Sequence, residues 1–137
     1  MEGIKKLHIM VGLPRSGKST KATELGHPIV CPDAIRLALH GTLWRAETEP
    51  MVWAVAHAMV DSLFLAGHAD VILDACNVSA RRRQEWESTK WACIFHVIDT
   101  PKEVCIERAR ELEMAYLVEV IERMAAVWSV PNMGPDC

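Results

Sequence analysis

The sequence predicts a three-layer α/β domain in which a short parallel sheet of about four strands is flanked by helices. Three observations lead to this fold class. Short apolar runs alternate with helical segments, which is typical of parallel strands joined by right-handed crossovers. A glycine-rich turn separates the first run from the first helix. Finally, 137 residues with 50% hydrophobic content suffice for one core but not for two, so we expect a single domain over residues 1–137.

Each predicted strand is a brief apolar run bounded by turn-forming residues. The first run leads into the glycine-rich turn, and the third is bounded by Asp70 and Asp74. The fourth ends at Asp99 and Thr100, residue types that are common at strand ends. The predicted strands cover residues 7–11, 29–31, 71–73 and 93–98.

The helices are predicted from their start and stop signals. Asp33 and Ser79 are suited to cap helix N-termini, and Thr100 with Glu103 forms a capping-box pattern with Pro101 at the first helical position. Glycines end the first three helices. The predicted helices span residues 17–25, 34–39, 50–66 and 80–88, a segment that starts at 101, and 116–127; residues 129–137 form a loop.

Composition limits the possible partners. The net charge of −3 and the pI of about 6.1 predict no global attraction to nucleic acid, so any polyanion must be bound locally. The five cysteines are odd in number and form no C-x-x-C pair, which disfavours a disulfide framework and a zinc knuckle. Neither a targeting segment nor an apolar run long enough for a membrane is visible. We therefore expect a cytoplasmic protein with no membrane partner.

The motif that indicates the chemistry lies directly after the first strand. Residues 12–19, Gly-Leu-Pro-Arg-Ser-Gly-Lys-Ser, match the phosphate-binding pattern G-x-x-x-x-G-K-[ST] at every fixed position. In such a P-loop, backbone N–H groups surround the phosphates, the lysine reaches the β- and γ-phosphates, and the last hydroxyl binds Mg²⁺. The predicted nucleotide-binding residues are Gly12, Pro14, Arg15, Ser16, Gly17, Lys18, Ser19 and Thr20, with ATP as the donor and Ser19 as the Mg²⁺ ligand.

Two further groups follow predicted strands. Asp33 could orient or deprotonate an acceptor hydroxyl while Arg36 holds a phosphate, but an N-cap aspartate beside a solvated arginine fits the spacing equally well. Asp74 is either a Walker-B-like aspartate that holds Mg²⁺ through water or part of a strand-ending turn. Arg81, Arg82 and Arg83 start a helix, and we expect at most one or two of them to face the cleft.

Arg108 and Arg110 lie on an acidic helix within residues 102–116. The glutamates at 103, 107 and 111 form like-charge i,i+4 pairs, which indicates a charged, mobile segment. In a kinase this would be the lid, and a salt-bridged surface helix is the alternative. The histidines have no metal-ligand spacing, and the five tryptophans are interpreted as core or core-rim residues.

The order of these motifs resembles the 5′-hydroxyl polynucleotide kinase family, namely the kinase domain of phage and bacterial polynucleotide kinase/phosphatase proteins. The resemblance covers nearly the whole chain. Beyond the P-loop, it rests on the following residues: Asp33 and Arg36; residues 74–79 with Arg82, Arg83 and Trp86; Thr100 and Pro101; and Val120, Ile121 and Met124. The resemblance implies a P-loop kinase fold with a helical lid at about 102–116.

The resemblance also implies roles for individual residues. Asp33 would be the general base on the acceptor 5′-hydroxyl, and Arg36 would bind the acceptor's neighbouring phosphate. Lys18 would serve ATP, Arg110 would be the catalytic lid arginine, and Arg108 would contact the nucleotide. Acceptor binding would involve Asp33, Arg36, Asp74, Asn77 and Arg82.

Two departures from the family pattern lie in the lid and the tail. The lid is about one residue short, and the tail after Pro131 lacks the glutamate that often helps to enclose the nucleotide. No phosphatase or ligase domain follows, so a stand-alone kinase is expected, with a 5′-hydroxyl end of DNA or RNA as its acceptor. Two rival functions stay open: a small-molecule kinase for a sugar, nucleoside or antibiotic hydroxyl, and a nucleotide-binding regulatory protein without an acceptor.

Overall fold

A four-stranded parallel sheet forms the centre of the molecule, as the computed structural model describes it for residues 3–131. The strand order is β2-β3-β1-β4, and every pair is parallel. The strands are β1 (Lys6–Val11), β2 (Ile29–Val30), β3 (Asp70–Leu73) and β4 (Ala92–Val97). The predicted α/β class and the number of strands are therefore confirmed, with bounds that differ by one residue.

Six α-helices and one 3₁₀ turn are found in the described part of the chain. The 3₁₀ turn, Ala46–Thr48, leads into the longest helix. The helices are α1 (Lys18–Leu25), α2 (Pro32–His40), α3 (Glu49–Leu65), α4 (Ala80–Gln84), α5 (Lys102–Glu111) and α6 (Tyr116–Ala126). No helix among residues 3–131 is long and apolar enough to cross a membrane.

The two faces of the sheet are buried against different helices because side chains alternate along a strand. Leu7 and Ile9 of β1 are fully buried in one cluster with Val52 and Val60 of α3. Met10 points the other way and packs with Ala22 of α1. This gives the predicted three-layer arrangement. Because all strands are parallel, their carboxyl ends lie at the end of the sheet where the P-loop follows β1.

The segment predicted as a lid forms α5 and the turn before α6. Its exposed face carries the charges, but Cys105 and Ala109 are fully buried against Ile121 of α6. Leu13 of the P-loop packs into the same cluster. The two helices are therefore tied to the phosphate-binding loop by an apolar contact.

Three local predictions were wrong. Cys31, not Asp33, is the N-cap of α2, because Pro32 is already compatible with the first helical turn and places Asp33 within it. Thr100 forms no capping box; its hydroxyl donates to the Ser16 carbonyl at 2.8 Å, and Pro101 is the N-cap. Helix α4 ends at residue 84 instead of 88.

The predicted Ser79 cap is confirmed, since its side chain accepts a hydrogen bond from the Arg82 N–H. Of the predicted C-terminal loop, residues 132–137 lie outside the described part.

Candidate active site

The P-loop joins β1 to α1 with the backbone that its glycines permit. A Cβ on Gly12 would lie 2.7 Å from the Ser16 Oγ and 3.2 Å from the Ile98 carbonyl oxygen, so a side chain does not fit there. Arg15 and Gly17 have φ values of 65° and 103°. Alternating left-handed and right-handed residues turn backbone N–H groups into one concavity, which suits an anion. The α1 N-terminus lies directly behind it.

Lys18 brings the positive charge of the site. It makes no salt bridge with any residue between 3 and 131. Its charge acts on the half-buried thiol of Cys76, where Asp33 and Asp74 also exert their charges. Burial raises the pKa of Cys76, and Lys18 opposes that rise.

Ser19 and Asp74 form the pair that suits a magnesium ion. The Ser19 hydroxyl donates to the Asp74 carboxylate at 2.8 Å, and Asp74 is 8% exposed. The Asp74 N–H donates to the Val30 carbonyl at 2.9 Å, which fixes the aspartate between β1 and β2. A hydroxyl and a carboxylate are oxygen ligands of the kind that Mg²⁺ prefers. This geometry favours the Walker-B-like interpretation of Asp74 over a simple turn.

Asp33 is held by an arginine that is itself held by a second carboxylate. The Arg36 Nη1 donates to Asp33 at 2.7 Å, while its Nε and Nη2 donate to the two oxygens of Glu49 at 2.9 and 2.6 Å. The Asp33 side chain is 67% exposed, whereas those of Arg36 and Glu49 are only 14% and 13% exposed. Asp33 therefore presents a fixed carboxylate to solvent at the end of the parallel sheet where the P-loop lies.

Arg36 is not the solvated arginine that one sequence-based alternative predicted. Its guanidinium lies 5.7 Å from the centre of the Trp44 ring and 5.9 Å from that of Trp53. Burial acts to lower the pKa of Arg36, but hydrogen bonds to Glu49 and then Asp33 raise it above the usual range. The Asp33 partner is thus a permanent cation. Sequence analysis missed Glu49, which lies 13 residues from Arg36 and shows no pattern that marks it.

Asn77 does not face an acceptor, contrary to the expectation from the resemblance. It is 3% exposed, and its amide donates to the Met10 carbonyl at 2.9 Å and to the Ala75 carbonyl at 3.2 Å. Arg83 is also buried; it donates to the Asn77 carbonyl and to the Ser129 hydroxyl. Burial lowers the pKa of Arg83. These two residues hold the loop after β3 in place and are not available for a ligand.

Arg81 and Arg82 are the members of the basic run that reach the surface cleft. They line a cavity of about 310 Å³ together with Ser79 and Glu85. Arg82 stacks 4.2 Å above the ring centre of Trp53 and donates to Glu85 at 2.8 Å. None of residues 12–19 lines this cavity, so the expectation that at most one or two of the three arginines face the nucleotide cleft stays a prediction.

The two arginines of α5 point in different directions. Arg108 Nη1 donates to the Arg15 carbonyl of the P-loop at 3.1 Å. Arg110 makes no hydrogen bond within the part of the chain described here, and it lies about 200° farther round the helix. The structure therefore brings Arg108 to the P-loop and does not bring Arg110.

Most of the tryptophans are core or core-rim residues, as predicted. Trp86 is fully buried, and Trp53, Trp91 and Trp128 pack against the main core. Trp44 departs from the prediction, because 63% of it is exposed. It stands on the surface beside Arg36.

Comparisons with known proteins agree with this geometry. The AAA domain family matches residues 7–131. A chain of the "Pnkp1/Rnl/Hen1 RNA repair complex" is 25% identical over 96% of this chain, with a TM-score of 0.70. A chain of a second Pnkp1/Rnl/Hen1 complex is 32% identical over 79%, with a TM-score of 0.69. No curated protein matches in sequence. The inferred resemblance to polynucleotide kinases is confirmed.

The chain spans about half of those relatives or less, namely 49% and 40% of their lengths. A gluconokinase from Sinorhizobium meliloti 1021 is 18% identical and has a TM-score of 0.56. The match covers 98% of this chain and 80% of the gluconokinase chain. At that identity the likeness concerns the fold alone. Together these structures identify the fold as that of a P-loop kinase.

Proposed function

Since the chain belongs to the AAA domain family and has the fold of a P-loop kinase, we propose that it is an ATP- and Mg²⁺-dependent kinase for a 5′-hydroxyl end of DNA or RNA. One observation carries this proposal. An exposed carboxylate, Asp33, is fixed by Arg36 just after β2, at the same end of the parallel sheet as the P-loop and the Ser19–Asp74 pair. A nucleotide-binding switch has no need of a positioned base beside its P-loop.

The donor side binds the triphosphate through the concave backbone at residues 12–19. Lys18 neutralises the β- and γ-phosphates, and the α1 N-terminus adds its positive field. Ser19 and Asp74 would hold Mg²⁺, which supplies further charge neutralisation on the phosphates. Of the α5 arginines, Arg108 is the one within reach of the P-loop, so we assign it the lid role that the sequence assigned to Arg110.

The acceptor side depends on Asp33. In the transfer, the acceptor oxygen forms a bond to the γ-phosphorus while the bond from that phosphorus to the β–γ bridging oxygen breaks, and the hydroxyl proton passes to the Asp33 carboxylate. Arg36 fixes this carboxylate with one N–H and retains N–H groups that can contact a phosphate of the acceptor. Most of the catalytic effect then arises from positioning and charge.

A nucleic acid acceptor is supported by two surface features near this site. Arg81 and Arg82 provide a local positive cleft. A nucleic acid could therefore bind there although the net charge of the chain is −3. Trp44 is an exposed aromatic ring next to Arg36 and suits stacking against an unpaired base. The Pnkp1 relatives belong to an RNA repair complex, which is in line with such an acceptor.

The test is a panel of acceptors under identical conditions with radiolabelled γ-phosphate ATP. The panel holds 5′-hydroxyl DNA and RNA oligonucleotides, 3′-nucleotides, nucleosides, sugars and an aminoglycoside. We expect label on oligonucleotide 5′ ends with the wild type and none with Asp33→Asn, although Asp33→Asn still binds ATP. Label confined to small molecules would replace the proposal by a small-molecule kinase. Slow hydrolysis that is equal in wild type and Asp33→Asn would favour a regulatory nucleotide-binding protein.

A further inference from the structure

Four ionisable side chains meet on the α1 side of the sheet, at the end away from the P-loop. His8 of β1 lies between Asp70 at the start of β3 and His96 of β4. His27, in the turn between α1 and β2, stacks on His8 with ring centres 5.5 Å apart. The sequence spacing does not predict that these four side chains lie together, because each comes from a different element.

Three of these side chains offer ligand atoms to one point. One ring nitrogen each of His8 and His27 and one oxygen of Asp70 lie within 4.8 Å of one another. Ligand atoms around a tetrahedral zinc ion are about 3.4 Å apart, given metal–nitrogen bonds of about 2.1 Å. Closing the site therefore requires side-chain movements of about 1 to 2 Å, and two of the three residues are only half-buried.

His96 completes the arrangement without being a ligand. The His8 Nε2 lies 2.8 Å from the Asp70 Oδ1, whereas the His8 Nδ1 lies 2.9 Å from the His96 Nε2. With Nε2 on a metal, the Nδ1 of His8 carries the proton and donates it to His96. Such a hydrogen bond fixes the tautomer and orientation of a metal-bound histidine.

We propose that His8, His27 and Asp70 form a binding site for Zn²⁺, oriented by His96 and with a water molecule as the fourth ligand. Two imidazoles and a carboxylate suit Zn²⁺ better than Mg²⁺, which prefers oxygen ligands only. The ion would tie the turn after α1 to β1 and β3. The site is separate from the Ser19 and Asp74 pair, and it does not depend on the proposed kinase activity.

Zinc binding is measured by titrating chelator-treated protein with Zn²⁺ in a calorimeter, with millimolar Mg²⁺ present to occupy any oxygen site. We expect one Zn²⁺ per chain. His27→Gln should weaken binding at least tenfold, and His96→Gln should weaken it about 10- to 100-fold, as expected for an orienting partner. His68→Gln, which removes an exposed histidine outside the cluster, should bind as the wild type does.

A thermal measurement separates a metal site from a folding defect. At a Zn²⁺ concentration of about 100 times Kd, the Tm of the wild type should rise by roughly 10 °C, and that of His27→Gln should not rise, although the metal-free proteins melt alike. If His27→Gln fails to fold, Asp70→Asn takes its place. Co²⁺ should give the visible absorption of a four-coordinate complex in the wild type. The absence of Zn²⁺ binding, or equal affinity in wild type and His27→Gln, would overturn the proposal.

Discussion

Glu49 is expected to control activity although it does not touch the reacting atoms. It accepts two hydrogen bonds from Arg36, the residue that fixes Asp33. Glu49→Gln keeps the size of the side chain but replaces one acceptor oxygen with a donor and removes the charge. One of the two bonds to Arg36 is then lost, and the other becomes weaker.

The magnitude follows from the burial of this pair. A hydrogen bond to a charged group contributes about 1.5 to 3 kcal/mol, and both side chains are nearly buried, at 14% and 13% exposed. Arg36 keeps its bond to Asp33, so we expect a loss of about 2 to 3 kcal/mol in the free energy of unfolding. For a chain of this length that corresponds to a decrease in Tm of roughly 10 °C.

We expect the rate of phosphate transfer to fall more than the affinity for ATP. Arg36 then still bonds Asp33 but is held less firmly itself, so the Asp33 carboxylate is displaced, and misplaced catalytic groups commonly reduce rates by about 100-fold. We expect kcat to fall about 10- to 100-fold in Glu49→Gln, with the KM for ATP nearly unchanged, and to recover partly in Glu49→Asp. The assay is initial-rate transfer to a 5′-hydroxyl oligonucleotide at a temperature well below the Tm of each variant.

A neighbouring pair supplies the control. Glu47 accepts from Arg45 at 3.0 Å, but those side chains are 67% and 51% exposed, and exposed pairs contribute little. Glu47→Gln should leave both Tm and kcat unchanged. If Glu49→Gln behaved like Glu47→Gln, Glu49 would not position the proposed catalytic aspartate through Arg36.

Three further predictions concern the lid, the metal and pH. Arg108→Ala should lower kcat about 100-fold while Arg110→Ala stays near wild type, because Arg108 contacts the P-loop; the opposite order in the same transfer assay would restore the assignment to Arg110. Ser19→Ala and Asp74→Asn should each raise the Mg²⁺ concentration for half-maximal activity at least tenfold, as measured by Mg²⁺ titration, and an unchanged requirement would place the ion elsewhere. Burial lowers the pKa of His57 from 6.5, although Asp61 and Glu85 oppose the shift. As pH falls, His57 therefore binds a proton in the unfolded chain at a higher pH than in the folded chain, and the free energy of unfolding should decrease below about pH 6.5. His57→Phe, which retains the ring stacking, should reduce the fall in Tm measured between pH 8 and 5.

The fold and the P-loop were predictable because they rest on local rules. The P-loop needs fixed residue types at fixed spacing, and strands that alternate with helices permit few topologies. Ser79 was correctly placed as a cap for the same reason. Thr100 satisfies the spacing of a capping box, yet its hydroxyl donates instead to the carbonyl of Ser16, which is distant in the sequence.

The surroundings of Asp33 and Asn77 were predicted less completely because they depend on contacts between distant elements. Glu49 meets Arg36 only when α2 and α3 pack together. Asn77 follows a strand like a ligand-binding residue, but it satisfies a β1 carbonyl instead. Arg108 and Arg110 are equivalent in sequence, and only the orientation of α5 distinguishes them.

The most direct test of the central claim is the mass of a 5′-hydroxyl oligonucleotide after incubation with ATP, Mg²⁺ and the protein, followed by nuclease mapping of the modified end. We predict that the oligonucleotide gains one phosphate at its 5′ end with the wild type and gains none with Lys18→Ala or Asp33→Asn. An unmodified oligonucleotide with the wild type, under conditions in which the protein binds ATP, would contradict the account.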